Sequence, residues 1–216
     1  RGKSQYERPA PGSHPLIVQE NNLHFEVELA GFLDTGLFLD HRLTRAMVRE
    51  IAAGTRFLNL FGYTGSFSVY AAAGGAASLT TVDTSKTYLS WASRNLKLNQ
   101  LSHQPHQLIR ADSMEFLRQL PADVKFDLAV VDPPTYSNSK SRTEDWNTQR
   151  DYVELLNLLR NHLAPEAIVF FSTNFRRFQF DPSQLKDYQA LEISKQTVPP
   201  DFRNRRIHRC WQLSTG

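Results

Sequence analysis

Residues 126–137 read FDLAVVDPPTYS. An apolar run, Leu128 to Val131, stops at a carboxylate, Asp132, and two prolines follow at once. A short apolar run closed by a turn signal fits a strand buried on both faces. Prolines fix φ and remove backbone donors, so Pro133 and Pro134 end the strand in a rigid kink ahead of Thr135 and Tyr136. Strands buried on both faces belong to sheets covered by helices. In such sheets ligands bind beyond the carboxyl ends of the strands, near the point where strand order reverses. Asp132 and its kink therefore stand where chemistry is expected.

Working outward, four more segments share this character: RFLNLF (56–61), SLTTVD (78–83), HQLIRAD (106–112) and AIVFFSTN (167–174). Amphipathic stretches separate them. In DYVELLNLLRNHL (151–163), Tyr152, Leu155, Leu156, Leu159 and Leu163 fall on one helical stripe. Strands alternating with helices of this length predict βαβ units and a mostly parallel sheet. The end differs: YQALEISKQT (188–197) and RIHRCWQLS (206–214) read as two strands with no helix between, predicting an antiparallel C-terminal hairpin. Near the start, PLIVQE (15–20) and HFEVELA (24–30) predict a small β-hairpin, and a helix is expected over about residues 43–53. The polar, Pro-rich opening RGKSQYERPAPGSHP reads as a linker cut from a longer polypeptide. Residues 1–35 are thus expected to be linker and hairpin extension, and 36–216 the main domain.

With 216 residues, 40% apolar and 22% charged, the chain can bury a core of ordinary size. No run approaches the ~18–20 apolar residues of a membrane span, and no secretory signal opens the chain. The single cysteine, Cys210, excludes an internal disulfide and fits a reducing, cytoplasmic setting. Net charge is +3 and the pI is about 9.1. The excess is uneven: Lys140 and Arg142, Arg176 and Arg177, and Arg203, Arg205, Arg206 and Arg209 would attract phosphates if they shared a face. NFRRF (174–178) reads equally as an RNA contact or a solvated loop. The histidines, including His103, His106 and His208, show no metal-ligand spacing, and no metal is expected. Trp91 and Trp146 lie in helical patterns that suit packing.

Each strand end supplies a polar feature. After the first comes NLFGYTGSFS (59–68), where Gly62 and Gly65 permit a tight turn and close backbone approach. The second ends in Asp83, placed to accept ribose hydroxyls. The third ends in Asp112, placed for an adenine amino group with Ser113 capping the next helix; Asp112 also suits a plain N-cap. The fourth ends in Asp132. Neither a G-x-G-x-x-G nor a Walker pattern is present. Acids at three successive strand ends without a diphosphate motif fit a nucleoside cofactor that lacks phosphates, such as S-adenosylmethionine. At the kink, the Asp132 and Pro133 carbonyls could hold an amino-bearing base on whose face Tyr136 stacks. A strand-ending turn with Tyr136 as packing is the plainer alternative.

DTGLFLDHR (34–42), FLNLFGYTGSFSVYAAAGGA (57–76), TTVDTSKTYLSWASRNLKLN (80–99), VVDPPTYSNSK (130–140) and DFRNRRIHRCW (201–211) together closely resemble the RlmK half of the bifunctional RlmK/RlmL ribosomal RNA large-subunit methyltransferases. The resemblance runs from about Lys3 to the end. It implies an α/β, Rossmann-like class I methyltransferase fold that uses S-adenosylmethionine to methylate guanine N7 in 23S rRNA, leaving S-adenosylhomocysteine. It further implies a preceding RlmL-type half with a THUMP domain, for which this chain has neither the Asn-Pro-Pro-Tyr signature nor the room. Carried over, it implies that Asn59, Phe61, Tyr63, Thr64 and Gly65 line the methionine part, Asp83 and Thr84 hold the ribose, and Asp112 and Ser113 the adenine. Phe38, Asp40 and Arg42 would approach the cofactor or base from the opposite wall.

Guanine N7 carries no proton and has an in-plane lone pair, so in-line transfer to it requires no general base, only positioning. Asp132 is expected to stabilise the charge that the ring gains, with Tyr136 stacking and Pro133 and Pro134 shaping the pocket. Competing readings are cytosine-C5 methylation, which needs a thiolate and has only Cys210 to supply it, exocyclic-amino methylation, and a non-catalytic RNA-binding module.

Overall fold

The computed structural model describes residues 15–29, 35–137 and 145–216. Lys140, Arg142 and most of the expected linker lie outside them. Strands β1 (Leu16–Glu20) and β2 (Leu23–Val27) pair antiparallel. Asn21 and Asn22, both left-handed at φ 49 and 64, make the two-residue turn that matches strand twist. Helix α1 (Arg42–Ile51) follows a short 3-10 turn (Leu39–His41). Then come β3 (Arg56–Leu60), α2 (Ser66–Ala73), β4 (Ser78–Asp83), α3 (Lys86–Leu98), β5 (His106–Arg110), α4 (Ser113–Gln119) and β6 (Phe126–Val131). The two-residue strands β7 (Tyr136–Ser137) and β8 (Trp146–Asn147) pair antiparallel. Helix α5 (Thr148–Arg160), β9 (Leu163–Thr173), β10 (Gln189–Glu192), the single turn α6 (Ser194–Thr197) and β11 (Arg209–Ser214) complete the chain.

The main sheet runs β10-β11-β9-β6-β3-β4-β5. Its five central and right-hand strands are parallel, whereas β11 is antiparallel to β9 and β10 to β11. Strand order reverses between β3 and β6, so the carboxyl ends of those two strands form the switch point. Side chains leave each strand alternately, and both faces are covered. Leu58 and Leu60 enter a core with α4, α5 and Trp211. Phe57, one residue along, enters the other with α1, α2, α3 and the hairpin residues Leu23, Phe25 and Val27. This is the doubly wound, mostly parallel architecture with an antiparallel C-terminal pair that the alternating segments predict.

Three local expectations need correction. The stretch 188–197 is a strand only to Glu192; buried Ile193 turns into the core, and Thr197 Oγ1 reaches the Ser194 carbonyl (3.2 Å) and His208 Nε2 (3.0 Å), so residues 194–197 curl into α6. Leu163 leaves the helical stripe. Helix α5 stops at Arg160, and His162 meets the Leu117 carbonyl with Nε2 at 3.0 Å, turning the chain into β9. Trp146 is not helical: it starts β8, and its Nε1–H donates to the Pro134 carbonyl (2.9 Å). Among the described residues no helix is long and apolar enough to cross a membrane.

The hairpin is pinned by a buried ion pair. Arg45, 1% exposed, donates from Nε and Nη2 to both Glu20 carboxylate oxygens (2.8 and 2.9 Å), and Tyr70 Oη donates to Glu20 Oε1 (2.8 Å). On its other side the Glu26 carbonyl accepts from Trp91 Nε1 (3.0 Å) and the Glu26 amide donates to Asn95 (2.9 Å).

Candidate active site

The loop after β3 takes a backbone few sequences tolerate: Phe61, Tyr63 and Gly65 all have positive φ, at 56, 48 and 73. A side chain on Gly65 would put Cβ 2.6 Å from Ala92 Cβ, and one on Gly62 would meet Thr81 Cγ2 at 2.3 Å. The glycines thus let the loop lie directly on β4 and α3, and strain of this kind is retained where the surroundings fix it. Asp83 is one such fixture. Its two oxygens accept from the amides of Tyr63 (2.9 Å) and Ser85 (2.8 Å). Burial pushes its pKa above the usual carboxylate value, against those two hydrogen bonds. Asp112 ends the next strand and is itself the N-cap of α4, accepting from Met114 and Glu115 (3.0 and 3.1 Å). Ser113, expected as the cap, is instead the buried first residue of that helix, because the Asp112 backbone is extended and its carboxylate already accepts from the first free amides.

The other expected residues divide. Tyr63 stacks obliquely against Phe38 (5.2 Å) and edge-on to Tyr88 (4.6 Å), and Phe38 is 44% exposed, so an aromatic wall stands beside the loop. Thr84 is exposed at the end of β4. Asn59 and Thr64 lie underneath: Asn59 Nδ2 donates to Ser68 (3.0 Å), and Thr64 Oγ1 donates to the Gly36 carbonyl (2.6 Å). Phe61 packs on Trp146 at 5.2 Å. Arg42 is committed to Asp201, with Nη1 2.9 Å from Oδ2, and Asp40 accepts from His208 Nδ1 (2.8 Å).

Across the switch point the Pro-Pro kink is held from behind. The Pro134 carbonyl accepts from Trp146 Nε1 and Thr148 Oγ1 (2.7 Å), and Thr135 Oγ1 donates to Asn174 (2.7 Å). Pro133 is buried and Pro134 exposed. Tyr136 is 61% exposed, 6.1 Å from the Phe175 ring. Asp132 is half-buried; its Oδ1 accepts from Ser172 Oγ (2.6 Å), and its Oδ2 lies 3.5 Å from His41 Nε2.

Two histidines that showed no pattern in sequence meet here. His41 and His208 stack with centroids 4.3 Å apart and planes at 9°. Burial holds the His41 pKa below the usual histidine value, although the Asp132 charge opposes it. Burial works to raise that of Asp40, but the His208 hydrogen bond and the neighbouring His41 outweigh it and hold the carboxyl low. Ligand-type atoms of Asp40, His41 and His208 lie within 4.8 Å of one another. Imidazole lone pairs lie in the ring plane, however, and two nearly parallel rings do not aim them at one point, so the group is shaped as a hydrogen-bonded stack rather than a tetrahedral cage.

A hollow lined by Arg56, Ser78, Lys125 and Phe126 lies at the amino ends of the strands, the end of the sheet away from these acids. The acids, the glycine loop and the aromatic wall all gather at the carboxyl ends, and their donor set suits an adenosine-type group. Carboxylates at the ends of β4 and β5 can meet ribose and base, and Gly62 and Gly65, by letting the loop lie directly on β4 and α3, keep it at the same end of the sheet.

Comparison with known proteins agrees. A Neisseria meningitidis serogroup B protein named ribosomal RNA large subunit methyltransferase K is 49% identical over 214 residues, which is 99% of this chain and 60% of that protein. The chain thus spans less than two thirds of that relative. A crystal structure of SMU.776, a methyltransferase complexed with S-adenosylhomocysteine, is 25% identical with a TM-score of 0.77, covering 97% of this chain and 58% of that one. A methyltransferase from Agrobacterium tumefaciens shares the fold at a TM-score of 0.75 and 22% identity, over 96% of this chain and 71% of that one. Residues 12–199 match the profile of one family, and this chain belongs to it: the S-adenosylmethionine-dependent methyltransferases.

Proposed function

We propose that this chain is the catalytic domain of a 23S rRNA methyltransferase acting on guanine N7. The observation that carries the reading is the seating of Asp132: a strand-end carboxylate, fixed by Ser172 and faced by His41, beside an exposed aromatic ring at the switch point. S-adenosylmethionine supplies an electrophilic methyl group; Asp83, Thr84 and Asp112 would hold its nucleoside, with the loop from Asn59 to Gly65 and the Phe38–Tyr63 wall beside its amino-acid end. Tyr136 stacks on the target base, and Pro133 and Pro134 shape the slot. A guanine methylated at N7 gains positive charge, and the Asp132 carboxylate stabilises it without taking a proton.

Cytosine-C5 chemistry is disfavoured by Cys210. That thiol is fully buried in β11, and burial, aided by the charge of Asp132, pushes its pKa far up, so no thiolate is offered. An RNA substrate is supported by charge placement. Arg176 and Arg177 follow β9, Arg203 and Arg206 precede β11, and all four are exposed. The pairing of Thr173 with Arg209 brings these two loops to the end of the sheet that carries Asp132. In the cell we place this activity in the cytoplasm, with a covalently linked RlmL-type half and its THUMP domain adding RNA affinity in a longer protein.

The test is nucleoside mass spectrometry of unmodified 23S rRNA incubated with the chain and S-adenosylmethionine. New 7-methylguanosine, lost in Asp132→Asn, is expected. 5-Methylcytidine or a methylated amino nucleoside in its place would overturn the N7 assignment, and no methylation of any kind would favour a binding module.

A further inference from the structure

We infer that His41 is the positioning residue for Asp132: its Nε2–H steers the Asp132 carboxylate toward the substrate base, and the His208–Asp40 pair holds the imidazole in place for it. The inference rests on the role given to Asp132 above.

His41 precedes α1 and is 5% exposed. Its two ring nitrogens have opposite surroundings. Nε2 faces two carboxylates, Asp132 Oδ2 at 3.5 Å and Asp40 Oδ2 at 3.8 Å. Nδ1 is buried and has no hydrogen-bond partner among the described residues. An orphaned N–H is costlier than an orphaned lone pair, so the proton belongs on Nε2, where both acids attract it. Titratable groups reach His41 from every side: Asp40 on its own turn, Arg45 one turn on in α1, Asp132 beyond β6, and His208 ahead of β11.

The ring is packed by two aromatic neighbours. His208 lies flat against one face at 4.3 Å, and Phe67 meets it edge-on at 5.8 Å. His208 is itself tied at both nitrogens, to Asp40 Oδ2 (2.8 Å) and Thr197 Oγ1 (3.0 Å). The chain Thr197–His208–Asp40 therefore forms a fixed back wall. The His41–Asp132 separation is longer than the ~2.7–2.9 Å of a charge-assisted hydrogen bond. Catalytic hydrogen bonds of this kind tighten when substrate docks, and Ser172 holds the other oxygen as the pivot. One carboxylate oxygen is thus anchored while His41 sets the direction of the second.

The experiment compares His41→Gln with His41→Asn. Glutamine carries its amide nitrogen to the Nε2 position, and asparagine carries it only to the Nδ1 position. His41→Asn should lower kcat for 23S rRNA methylation about 10- to 100-fold, the cost of a small misplacement, with KM for RNA and S-adenosylhomocysteine affinity unchanged. His41→Gln should recover most of that loss. Equal activity of the two variants, high or low, would overturn the inference. Nitrogen-15 NMR of the histidine rings gives a readout independent of activity. His41 should carry its proton on Nε2 at neutral pH; a proton on Nδ1 would overturn the assignment even if the chain methylates a different base. Full activity in Asp132→Asn would instead remove the role of Asp132 itself, and the two failures are distinguishable.

Discussion

Gly65 and Gly54 offer a controlled test of how the glycine loop after β3 is built. Both have φ 73, so replacing either by alanine imposes the same left-handed strain, about 1–2 kcal/mol. Their surroundings differ. Nothing lies within 4 Å of a Cβ added at Gly54, whereas one added at Gly65 falls 2.6 Å from Ala92 Cβ and 3.2 Å from Ala92 Cα. Ordinary carbon contacts are about 3.5–4.0 Å, so α3 and the loop would have to part by about 1 Å. Overpacking of that kind costs about 1–3 kcal/mol. The backbone contribution cancels between the two variants, leaving that clash as their difference. For a chain of this length each kcal/mol moves Tm by about 2–4 °C, so Gly65→Ala should melt about 2–12 °C below Gly54→Ala. Thermal unfolding with and without S-adenosylhomocysteine measures it. The same displacement pulls Tyr63 from Asp83, so the stabilisation by ligand should shrink in Gly65→Ala and persist in Gly54→Ala. Equal melting temperatures with equal ligand response would refute the close approach of loop and helix.

Two further outcomes follow from ion pairs. Arg45→Met leaves Glu20 buried without its cation and should cost about 3–5 kcal/mol in urea unfolding; a loss below about 1 kcal/mol would mean that Glu20 finds another partner. Asp127 is held below the usual aspartate range by hydrogen bonds from Arg56. Its folded pKa is depressed, so its stabilisation is present above about pH 3.9 and is lost as pH falls through the folded value. Both groups are partly exposed, which limits the effect to about 1 kcal/mol or less. Asp127→Asn should therefore lower stability at neutral pH and flatten its decline below pH 4, and parallel pH profiles would count against the pairing.

What could be read from the sequence was what has a local pattern. Strand β4 matches SLTTVD residue for residue, because β-branched residues and a terminal acid both mark it. The acids at the strand ends were visible for the same reason. The histidine stack was not: Asp40 and His208 are separated by 168 positions and Arg42 and Asp201 by 159, and only the sheet topology brings them together. Trp146 carries a helical signal in sequence because two residues of strand leave no periodicity, and the helical pattern of α5 begins immediately afterwards. Asp112 shows the limit of residue type alone, since the carboxylate that could meet an adenine is also the one that caps α4.

The hairpin pinned by Glu20 is less an appendage than a clasp. Phe25 is fully buried among residues of α1, α2 and α3, and Trp91 and Asn95 of α3 bond to the Glu26 backbone. Opening it uncovers the core that the hairpin shares with α1, α2 and α3. The hydrogen-bonded amides of β2 should therefore exchange with solvent only through near-global unfolding, not by fraying. A protease would find no early nick within β2, and shortening the chain past this strand would dismantle the domain instead of trimming it.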